Sequence, residues 1–343
     1  MTDLRGKVVV VTGASSGLGR ATAVRFAEAG CRVVLAARRE NALHETASFC
    51  ERAGAATLVV VTDVTREEDV KRLVESTLSS FGRIDIWVNN AGVTLFGALE
   101  SGRFEEHQRV IETNLFGAMH GARAVIPLFR QQRSGVLINV GSILSKIGQP
   151  FVPSYVISKF ALRGLSEALR SELADLPHVH VCTIYPYAMN TQHFESGANL
   201  MELQPQAMPP AAPPGEAAEA IVDLARRPRR ERHVPRSALL ALALHAVFPR
   251  SVERIVFHAV ANFHFAPRAQ ALTQGNLWAT PAHPAKVHGR RPPGLPASRA
   301  VLWLLRNLVP IVVGVPRVHH DGVKADAPAR EVEPYPDGRQ FSN

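Results

Sequence analysis

The first 235 residues alternate short runs of β-branched residues with longer amphipathic stretches. Six of these runs are largely apolar, as expected of parallel strands buried on both faces: KVVVVT, RVVLAA, TLVVVT, RIDIWVNN, GVLINV and HVHVCTIYP. Helical stretches such as GRATAVRFAEAG lie between them. The alternation predicts an α/β fold, a doubly wound parallel sheet with helices on both faces. RRERHVP, residues 229–235, is a candidate for a short last strand.

Two proline-rich stretches divide the rest of the chain. QPQAMPPAAPPGE (204–216) is predicted to be a surface loop and GRRPPGLPAS (289–298) a linker. The extension between them is expected to form two apolar helices broken at Pro249. The predicted parts are a main domain over 1–235, an apolar helical extension over 236–288, and the linker with a short apolar segment and a disordered polar tail over 289–343.

The net charge of +9 is unevenly distributed. Residues 1–224 carry 21 Lys and Arg against 23 Asp and Glu, whereas residues 225–343 carry 18 against 7. Such a basic C-terminal part is typical of a segment that binds nucleic acid or an anionic membrane surface. The alternative is a solvated basic face without a partner. We do not expect nucleic-acid binding, because no aromatics are interleaved with the basic residues and no known binding module is present.

The cysteines and the apolar runs bear on the cellular compartment. Cys31, Cys50 and Cys182 are an odd number of cysteines in apolar segments, so we expect buried free thiols in a reducing, cytoplasmic environment. We see no signal peptide and no segment that reaches the roughly 18 apolar residues of a membrane span. We assign no metal, since His319 and His320 are adjacent residues in a polar tail.

A glycine-rich loop follows the first predicted strand and opens a helix. VVVVTGASSGLGRATAV places three glycines at this junction. Such a junction gives a tight turn, close approach of the backbone to a pyrophosphate, and free helix amides that bind anions. We therefore predict that a dinucleotide binds here, in contact with Gly13, Ser15, Ser16, Gly17, Leu18 and Gly19.

The end of the second predicted strand bears on the choice of cofactor. An acid is usual there where NAD is preferred, because it holds the ribose hydroxyls. This chain has Ala37, followed by Arg38 and Arg39. Guanidinium groups form charge-assisted hydrogen bonds with phosphate, so we predict that both arginines bind the 2′-phosphate and that NADP(H) is preferred over NAD(H). The alternative is two arginines that start a helix on a solvated face.

The chain resembles the short-chain dehydrogenase/reductase family over about residues 5–235. The motifs that carry the resemblance are TGASSGLG (12–19), DVT (63–65), NNAG (89–92), ETNLFG (112–117), INVGS (138–142), YVISK (155–159) and YPYAMNT (185–191). The resemblance implies a Rossmann-like fold in which residues 1–235 bind the dinucleotide and carry the catalytic groups. It also implies hydride transfer between nicotinamide and an alcohol or carbonyl.

Tyr155 and Lys159 match the YxxxK pair of the family. They lie one helical turn apart on one face of a predicted helix. Hydride transfer at a carbon that bears oxygen needs a proton donor or acceptor at that oxygen, and Tyr155 is expected to be this general acid/base. A lysine charge about 4 Å away is expected to lower the tyrosine pKa from its ordinary value of about 10.

Other positions carry over from the resemblance. Ser142 is expected to bond the substrate oxygen, with Ser145 as a weaker candidate, and Asn114 to order a water that links Lys159 to solvent. The predicted catalytic set is Ser142, Tyr155, Lys159 and Asn114. The predicted cofactor contacts, besides Tyr155 and Lys159, are Asp63 and Val64 beside the adenine, Asn90, Ala91 and Gly92 after the fourth strand, and Pro186 and Thr191 over the nicotinamide.

The predicted substrate pocket is apolar. By position we assign to it Leu95, Phe96, Leu144, Ile147, Tyr187 and Phe194. No arginine or lysine among them holds a carboxylate or phosphate, which favours a lipophilic alcohol or carbonyl; the alternative is that these side chains belong to the core. Tyr187 stands where the family usually has glycine, which leaves the position of the pocket roof open.

The extension lies outside the part that resembles the family. Its apolar helices, flanked by arginines, are expected to touch a membrane surface, to cover the active site or to pack against a second subunit. A homo-oligomer is expected, and the sequence leaves the number of subunits open. The sequence thus predicts an NADP(H)-dependent oxidoreductase, and the alternative is a catalytically idle NADP(H)-binding regulatory protein of the same fold.

Overall fold

The computed structural model describes residues 2–208, 211–281 and 283–289. The predicted linker from residue 290 onward, the short apolar segment, the polar tail and the His319–His320 pair lie outside the described residues. The strands are β1 (Val8–Thr12), β2 (Arg32–Ala37), β3 (Thr57–Val61), β4 (Ile86–Asn89), β5 (Leu95–Phe96), β6 (Gly135–Val140), β7 (Val179–Pro186), β8 (Ala198–Asn199), β9 (Leu203–Pro205), β10 (Glu231–Val234) and β11 (Phe265–Ala269).

Helices connect and cover the strands. The α-helices are α1 (Gly17–Glu28), α2 (Glu40–Arg52), α3 (Glu67–Phe81), α4 (Phe104–Ile111), α5 (Gly117–Gln132), α6 (Pro153–Glu172), α7 (His193–Ser196), α8 (Pro214–Arg226), α9 (Ala238–Val247) and α10 (Pro249–Phe263). A π-helical turn, Glu112–Phe116, joins α4 to α5, and a short 3-10 helix, Ile143–Ser145, follows β6.

Seven strands form one parallel sheet in the order β10-β7-β6-β4-β1-β2-β3. It contains all six predicted runs, and the stretch 229–235 supplies β10 at one edge. The order reverses between β1 and β4, so the chain builds one half of the sheet and then returns to build the other. At such a switch point the loops after the strands diverge and leave a crevice. The predicted doubly wound α/β fold is confirmed.

The two faces of the sheet pack against different helices. Val9 of β1 belongs to the same buried cluster as Phe26 of α1. The next residue, Val10, belongs to the cluster on the other face with Phe129 of α5. Because both faces are buried, the strand sequence is continuously apolar instead of alternating with polar residues. The three cysteines are free and buried, as predicted.

The proline-rich stretch 204–216 is only partly a loop, contrary to the prediction. Gln204 and Pro205 complete β9, and Pro214 begins α8. Proline fits the first turn of a helix, because an N–H at that position has no intrahelical acceptor. The prolines of this stretch therefore indicate the start of α8 as well as the end of regular structure before it.

The extension packs back onto the main domain. α9 and α10 form a helical hairpin with Pro249 as the first residue of α10, as the sequence predicts. After the hairpin, β11 pairs antiparallel with β9. Residues 270–281 and 283–289 lead to the glycine-rich loop, where the Gly17 amide donates to the Lys286 carbonyl at 2.9 Å. In the part of the chain described, no helix is both long enough and apolar enough to cross a bilayer.

Candidate active site

A cavity of about 580 Å³ lies at the carboxyl ends of the central strands, in the size range of small-molecule sites. Ser142, Tyr155 and Lys159 line it, whereas Asn114 is buried behind its wall. Every predicted cofactor contact also lines it: Gly13, Ser15, Ser16, Gly17, Leu18, Gly19, Arg38, Arg39, Asp63, Val64, Asn90, Ala91, Gly92, Pro186 and Thr191, with Tyr155 and Lys159. The fold thus brings these dispersed motifs together.

The glycine-rich turn packs closely against its surroundings. A side-chain carbon on Gly13 would lie 2.8 Å from the Ala91 Cα, and one on Gly19 would overlap the Gly13 carbonyl. Gly13 also has φ +68°, a left-handed conformation that favours glycine. Any other residue would displace the turn, so the backbone reaches the cavity only with glycine at these positions.

Helix α1 begins at this turn, and the amides of its first turn have no acceptor within the helix. Arg20 makes its first intrahelical hydrogen bond, to the Ser16 carbonyl at 3.2 Å. Leu18 and Gly19 precede that bond, and both residues line the cavity. Free amides and the positive end of the helix dipole bind anions, so this donor set fits the pyrophosphate of a dinucleotide.

Arg38 and Arg39 line the cavity and also bond to the extension. Their acceptors, at 2.6–3.3 Å, are the backbone carbonyls of Asn276, Leu277, Trp278, Pro281 and His283. Burial lowers the pKa of both guanidinium groups. The Nε of Arg39 is buried and finds no hydrogen-bond partner among the described residues. The alternative of a freely solvated pair therefore does not describe these arginines.

The carboxylate of Asp63 lies near Arg38, at the same end of the cavity. It accepts from the Thr65 amide at 3.0 Å, the Thr65 hydroxyl at 2.8 Å and Arg109 at 3.0 Å. Burial alone would raise the pKa of Asp63, but the Thr65 bonds and the charges of Arg109 and Arg38 outweigh it and lower the pKa. The group is therefore an ionised acceptor at neutral pH.

The loop after β4 is tied to the end of β1 across the switch point. The Asn90 Nδ2 donates to the Thr12 carbonyl at 2.8 Å. The Thr12 hydroxyl oxygen accepts from the Asn90 amide at 3.0 Å and the Ala91 amide at 3.1 Å. These bonds fix the two sides of the crevice relative to each other.

Asn114 lies in the π-helical turn and is 1% exposed. Its Oδ1 accepts from the Val93 amide at 2.8 Å, and its Nδ2 donates to the Val93 carbonyl and the Ser158 hydroxyl, both at 3.0 Å. π-Helical turns recur at functional sites, where they redirect one side chain. Here Asn114 holds the loop after β4 against α6, and its predicted role in ordering a water stays a prediction.

Helix α6 carries Tyr155 and Lys159 on one face, as the spacing predicts. Lys159 Nζ donates to the Val140 carbonyl at 2.8 Å and lies 5.5 Å from the centroid of the Tyr155 ring. Burial lowers the pKa of Lys159 to about 8. Burial also raises the pKa of Tyr155 to about 12, although a hydrogen bond with Ser142 acts in the opposite direction.

The direction of the Tyr155 shift differs from the expectation of a lowered pKa. A nearby positive charge favours the phenolate, but burial removes the water that would also stabilise it. Desolvation disfavours the phenolate, and here it is the largest influence on the pKa of Tyr155. The buried phenol is therefore protonated at neutral pH.

Ser142 and Ser145 have different surroundings. Ser142 lines the cavity, and its Oγ accepts from the Leu144 amide at 3.1 Å. Ser145 is fully buried, and its Oγ accepts from the Ser142 amide at 3.2 Å. Ser145 thus supports the turn that presents Ser142 to the cavity.

Five of the predicted substrate residues line the cavity: Phe96, Leu144, Ile147, Tyr187 and Phe194. The prediction for Leu95 is wrong, since Leu95 lies in a separate buried cluster with Val93 and Val110. Successive residues of a strand point to opposite faces, so only one member of the Leu95–Phe96 pair can face the cavity.

The roof of the cavity comes from the extension. The lining residues on the hairpin are Ala241, Val252, Ile255, Val256, Ala259 and Phe263. On α10 they recur three or four residues apart, as on one face of a helix. That period is visible in the sequence, but it does not say which surface the helix covers. Of the three roles left open for the extension, these contacts support a cover over the site.

Two histidines that the sequence analysis did not single out also line the cavity. The His193 ring lies 5.6 Å from the Tyr155 ring. The His264 ring lies 5.6 Å from Phe96 and 5.7 Å from Phe194. Burial lowers the pKa of each histidine to about 4. Both rings are therefore neutral near pH 7.

Comparison with known proteins agrees with this geometry. The family model for short chain dehydrogenase matches residues 7–199. The chain is 38% identical over 271 residues to the uncharacterized oxidoreductase YxnA of Bacillus subtilis, which covers 78% of this chain and 76% of that protein. It is 42% identical over 191 residues to 3beta-hydroxysteroid dehydrogenase 1 of Eggerthella lenta, covering 55% and 73%. It is 37% identical over 203 residues to 3-ketodihydrosphingosine reductase of Bacteroides thetaiotaomicron, covering 59% and 71%.

Two solved structures share the fold and hold a nicotinamide dinucleotide. One is a short chain dehydrogenase/reductase from Burkholderia phymatum in complex with NAD, with a TM-score of 0.67, 26% identity, and coverage of 73% of this chain and 96% of that chain. The other is an alcohol dehydrogenase from the archaeon Thermococcus sibiricus complexed with 5-hydroxy-NADP, with a TM-score of 0.59, 29% identity, and coverage of 67% and 95%.

Acidification from pH 6.5 to pH 4 should destabilise the protein through His193 and His264. Each has a folded-state pKa of about 4 against an ordinary value of 6.5, so the unfolded state binds more protons between these values. The free energy of unfolding therefore has its full value above pH 6.5. It decreases by about 3 kcal/mol per histidine as the pH falls to 4. We expect the Tm of His264→Phe to fall less steeply over this interval than that of wild type.

The matched control is His44→Gln, a change at an exposed histidine. Its Tm should follow the wild-type curve against pH. Equal slopes for wild type, control and His264→Phe would contradict the prediction.

Proposed function

This chain belongs to the short-chain dehydrogenase family, and we propose that this oxidoreductase acts on a lipophilic carbonyl or alcohol. A hydride passes between NADP(H) and that group, with Tyr155 as general acid/base. One observation carries the proposal. A single cavity is lined by the glycine-rich loop, by Ser142, Tyr155 and Lys159, and by a set of apolar side chains.

Tyr155 is the proposed proton donor in the direction of reduction. With its pKa raised by burial to about 12, the phenol carries its proton at neutral pH. The nicotinamide, when bound, supplies or takes up the hydride. Lys159, with a pKa of about 8, is mostly charged at pH 7. Its ammonium group, 5.5 Å from the Tyr155 ring centroid, stabilises the phenolate left after proton transfer.

Ser142 is proposed to orient the substrate oxygen. Its Oγ already accepts from the Leu144 amide, so its hydroxyl hydrogen is left for Tyr155 or for the substrate. Asn114 is a positioning residue, because it does not line the cavity and acts through Val93 and Ser158. Both residues keep the reacting groups in place.

The end of β2 supports a preference for NADP(H). Ala37 offers no carboxylate to the ribose hydroxyls, and Arg38 and Arg39 bring two cations to the cavity wall. The Arg39 Nε has no acceptor within the described part of the chain, so it is a donor for an oxygen of the 2′-phosphate. One similar structure holds NAD and the other 5-hydroxy-NADP, so the proposal depends on these side chains.

A lipophilic substrate fits the apolar end of the cavity. Phe96, Leu144 and Phe194 come from the main domain, and Val256 and Phe263 come from α10. In the described lining the only cations are those of the two cofactor-side arginines and the YxxxK lysine, which leaves none for a substrate carboxylate. Two relatives are named for lipophilic compounds, a hydroxysteroid and ketodihydrosphingosine.

We further propose that the outer face of the α9–α10 hairpin rests on an anionic membrane surface. The exposed apolar residues there are Leu239, Leu240, Leu244, Val247, Phe248 and Phe257. Arg236, Arg250 and Arg254 flank them, and Glu253 is the one acid in the sequence from 236 to 263. Apolar side chains edged by cations fit an anionic bilayer surface. The same hairpin roofs the cavity, so a substrate dissolved in the bilayer lies close to it.

The alternative function is an NADP(H)-binding regulatory protein without catalysis. The presence of Ser142, Tyr155 and Lys159 in one cavity argues against it. The alternative partner for the outer hairpin face is a second subunit, and the expected homo-oligomer stays a prediction.

Tyr155→Phe should lower kcat for reduction of lipophilic ketones with NADPH by at least about a hundredfold, because the proton donor is lost. The Kd for NADPH should change little, since the ring is retained. The assay follows NADPH consumption with lipophilic ketones and with small charged keto acids. Tyr185→Phe is the matched control, because Tyr185 is a fully buried tyrosine that donates to Glu231 outside the cavity lining. Undiminished turnover in Tyr155→Phe, or activity confined to keto acids, would contradict the proposal.

Wild type should bind NADPH more tightly than NADH, and Arg39→Leu should remove this preference. The loss of one charge-assisted hydrogen bond to the 2′-phosphate corresponds to about a tenfold to hundredfold weaker binding of NADPH. The Kd for NADH should stay near the wild-type value. Arg66→Leu, at an arginine with a 70% exposed side chain, is the control. An equal loss for both cofactors would mean that Arg39 serves only to hold the extension.

The full-length protein should sediment with vesicles of phosphatidylserine and phosphatidylcholine and much less with phosphatidylcholine alone. Leu240→Asp combined with Val247→Asp should weaken this binding by at least about tenfold, because two exposed apolar side chains no longer enter the bilayer. Leu99→Asp changes a 65% exposed leucine outside the hairpin and should bind as wild type. Wild-type protein that stays in the supernatant with both vesicles would rule out the membrane contact.

A further inference from the structure

Residues 275–281 and 283–289 form a strap along the cofactor end of the cavity. Arg38 and Arg39 donate to carbonyls of the strap. Arg20 donates to the Ala285 carbonyl at 3.0 Å. The strap is therefore fastened to the start of α1 and to the end of β2, where the dinucleotide is proposed to bind.

The start of the strap has a buried anchor. Leu277 is fully buried in a cluster with Val93. Its carbonyl accepts from the Arg109 Nε at 3.1 Å, and Arg109 forms an ion pair with Asp63 at 3.0 Å. These contacts fix the neighbouring Asn276 at the Asp63 end of the cavity.

Asn276 brings an unpaired amide oxygen to this end. Asn276 lines the same cavity as Arg38, Asp63 and Val64. The Oδ1 is shielded from solvent and, over the residues that the structure describes, accepts no hydrogen bond. Proteins leave few buried polar atoms unpaired, because a buried carbonyl without a donor has lost its bonds to water. The oxygen is thus placed to accept a hydrogen bond from a ligand.

The chemistry of the dinucleotide narrows the choice of donor. Ionised phosphate oxygens are acceptors and cannot satisfy a carbonyl oxygen. Adenine carries a 6-amino group, and an asparagine amide is complementary to adenine because it offers an acceptor for that amine beside a donor for a ring nitrogen. Asp63 and Val64, which share this end with Asn276, are the residues proposed to lie beside the adenine.

We propose that Asn276 is a cofactor-binding residue whose Oδ1 accepts a hydrogen bond from the adenine 6-amino group. The inference rests on the proposed function in that it needs an adenine dinucleotide as the ligand. It gives the C-terminal strap a part in recognising the base. The bonds of the strap to Arg38 and Arg39 hold the amide in place before the cofactor binds, which reduces the ordering that binding requires.

The test compares NADPH with its hypoxanthine analogue, in which a carbonyl oxygen replaces the adenine 6-amino group. The Kd of each is measured on the full-length protein from the fluorescence of the reduced nicotinamide. We expect wild type to bind the analogue about tenfold more weakly than NADPH, as for one hydrogen bond. Asn276→Leu should bind NADPH about tenfold more weakly and distinguish the two compounds less than wild type does, with any remaining preference due to Asp63. Asn276→Asp keeps an acceptor oxygen and should keep the preference.

Gln274→Leu is the matched control. Gln274 carries an amide two residues away, outside the cavity lining, that donates to Glu106 at 2.9 Å. This variant should keep the wild-type ratio of the two Kd values. NADH and its hypoxanthine analogue are measured in parallel, so the result does not depend on the preference for NADP(H). Melting temperatures establish that each variant is folded.

An unchanged ratio in Asn276→Leu would overturn the inference. If Asn276→Leu weakens the binding of NADPH and of its hypoxanthine analogue equally, Asn276 only supports the strap or contacts the ribose. The adenine is then recognised by other residues. Failure of wild type to bind any of the four dinucleotides would reject the proposed function, and the inference with it. A reduced ratio in Asn276→Leu with a retained ratio in Gln274→Leu would establish Asn276 as a residue that recognises the adenine amine.

Discussion

The complete burial of the central strand limits where this protein can place polar chemistry. From Val8 to Val11, β1 has no exposed surface, and a parallel strand lies on each side of it. Backbone polar groups in such an interior must pair within the sheet, and an unpaired polar side chain is costly. Groups that touch a ligand therefore enter from the strand ends. The reversal of strand order between β1 and β4 opens the crevice there, and Thr12 and Asn90 hold its two sides together.

Inside the crevice, burial acts on two ionisable groups that the proposed reaction couples. Desolvation raises the pKa of Tyr155 and lowers that of Lys159, so each is shifted toward its neutral form. A phenolate formed beside the ammonium changes this balance, because each charge offsets part of the other's desolvation. The Val140 carbonyl holds the Lys159 ammonium. His193, neutral at pH 7, adds no further positive charge next to the pair.

The extension supplies two walls that the main domain lacks. The α9–α10 hairpin lies over the apolar end of the cavity, and the strap lies along the cofactor end. The strap is held through its backbone carbonyls, which accept from Arg38, Arg39 and Arg20. Carbonyls are neutral acceptors, so they bond to Arg38 and Arg39 without cancelling the positive charge that a phosphate would meet. The shape of the cofactor site and its charge are thus set by different parts of the chain.

The strands of the parallel sheet, the glycine-rich turn, and the placement of Tyr155 and Lys159 on one helix face could be predicted from the amino-acid sequence. Each of these follows from a local pattern. Apolar runs predict buried strands, the glycines predict a turn, and a spacing of four residues, about one helical turn, places two side chains on one face. Only the folded chain shows that Phe96 and not Leu95 lines the cavity, that burial raises the pKa of Tyr155, and that Arg38 donates to the carbonyls of residues 276–278. These features depend on which distant segments meet and exclude water, and spacing along the chain carries no information about that.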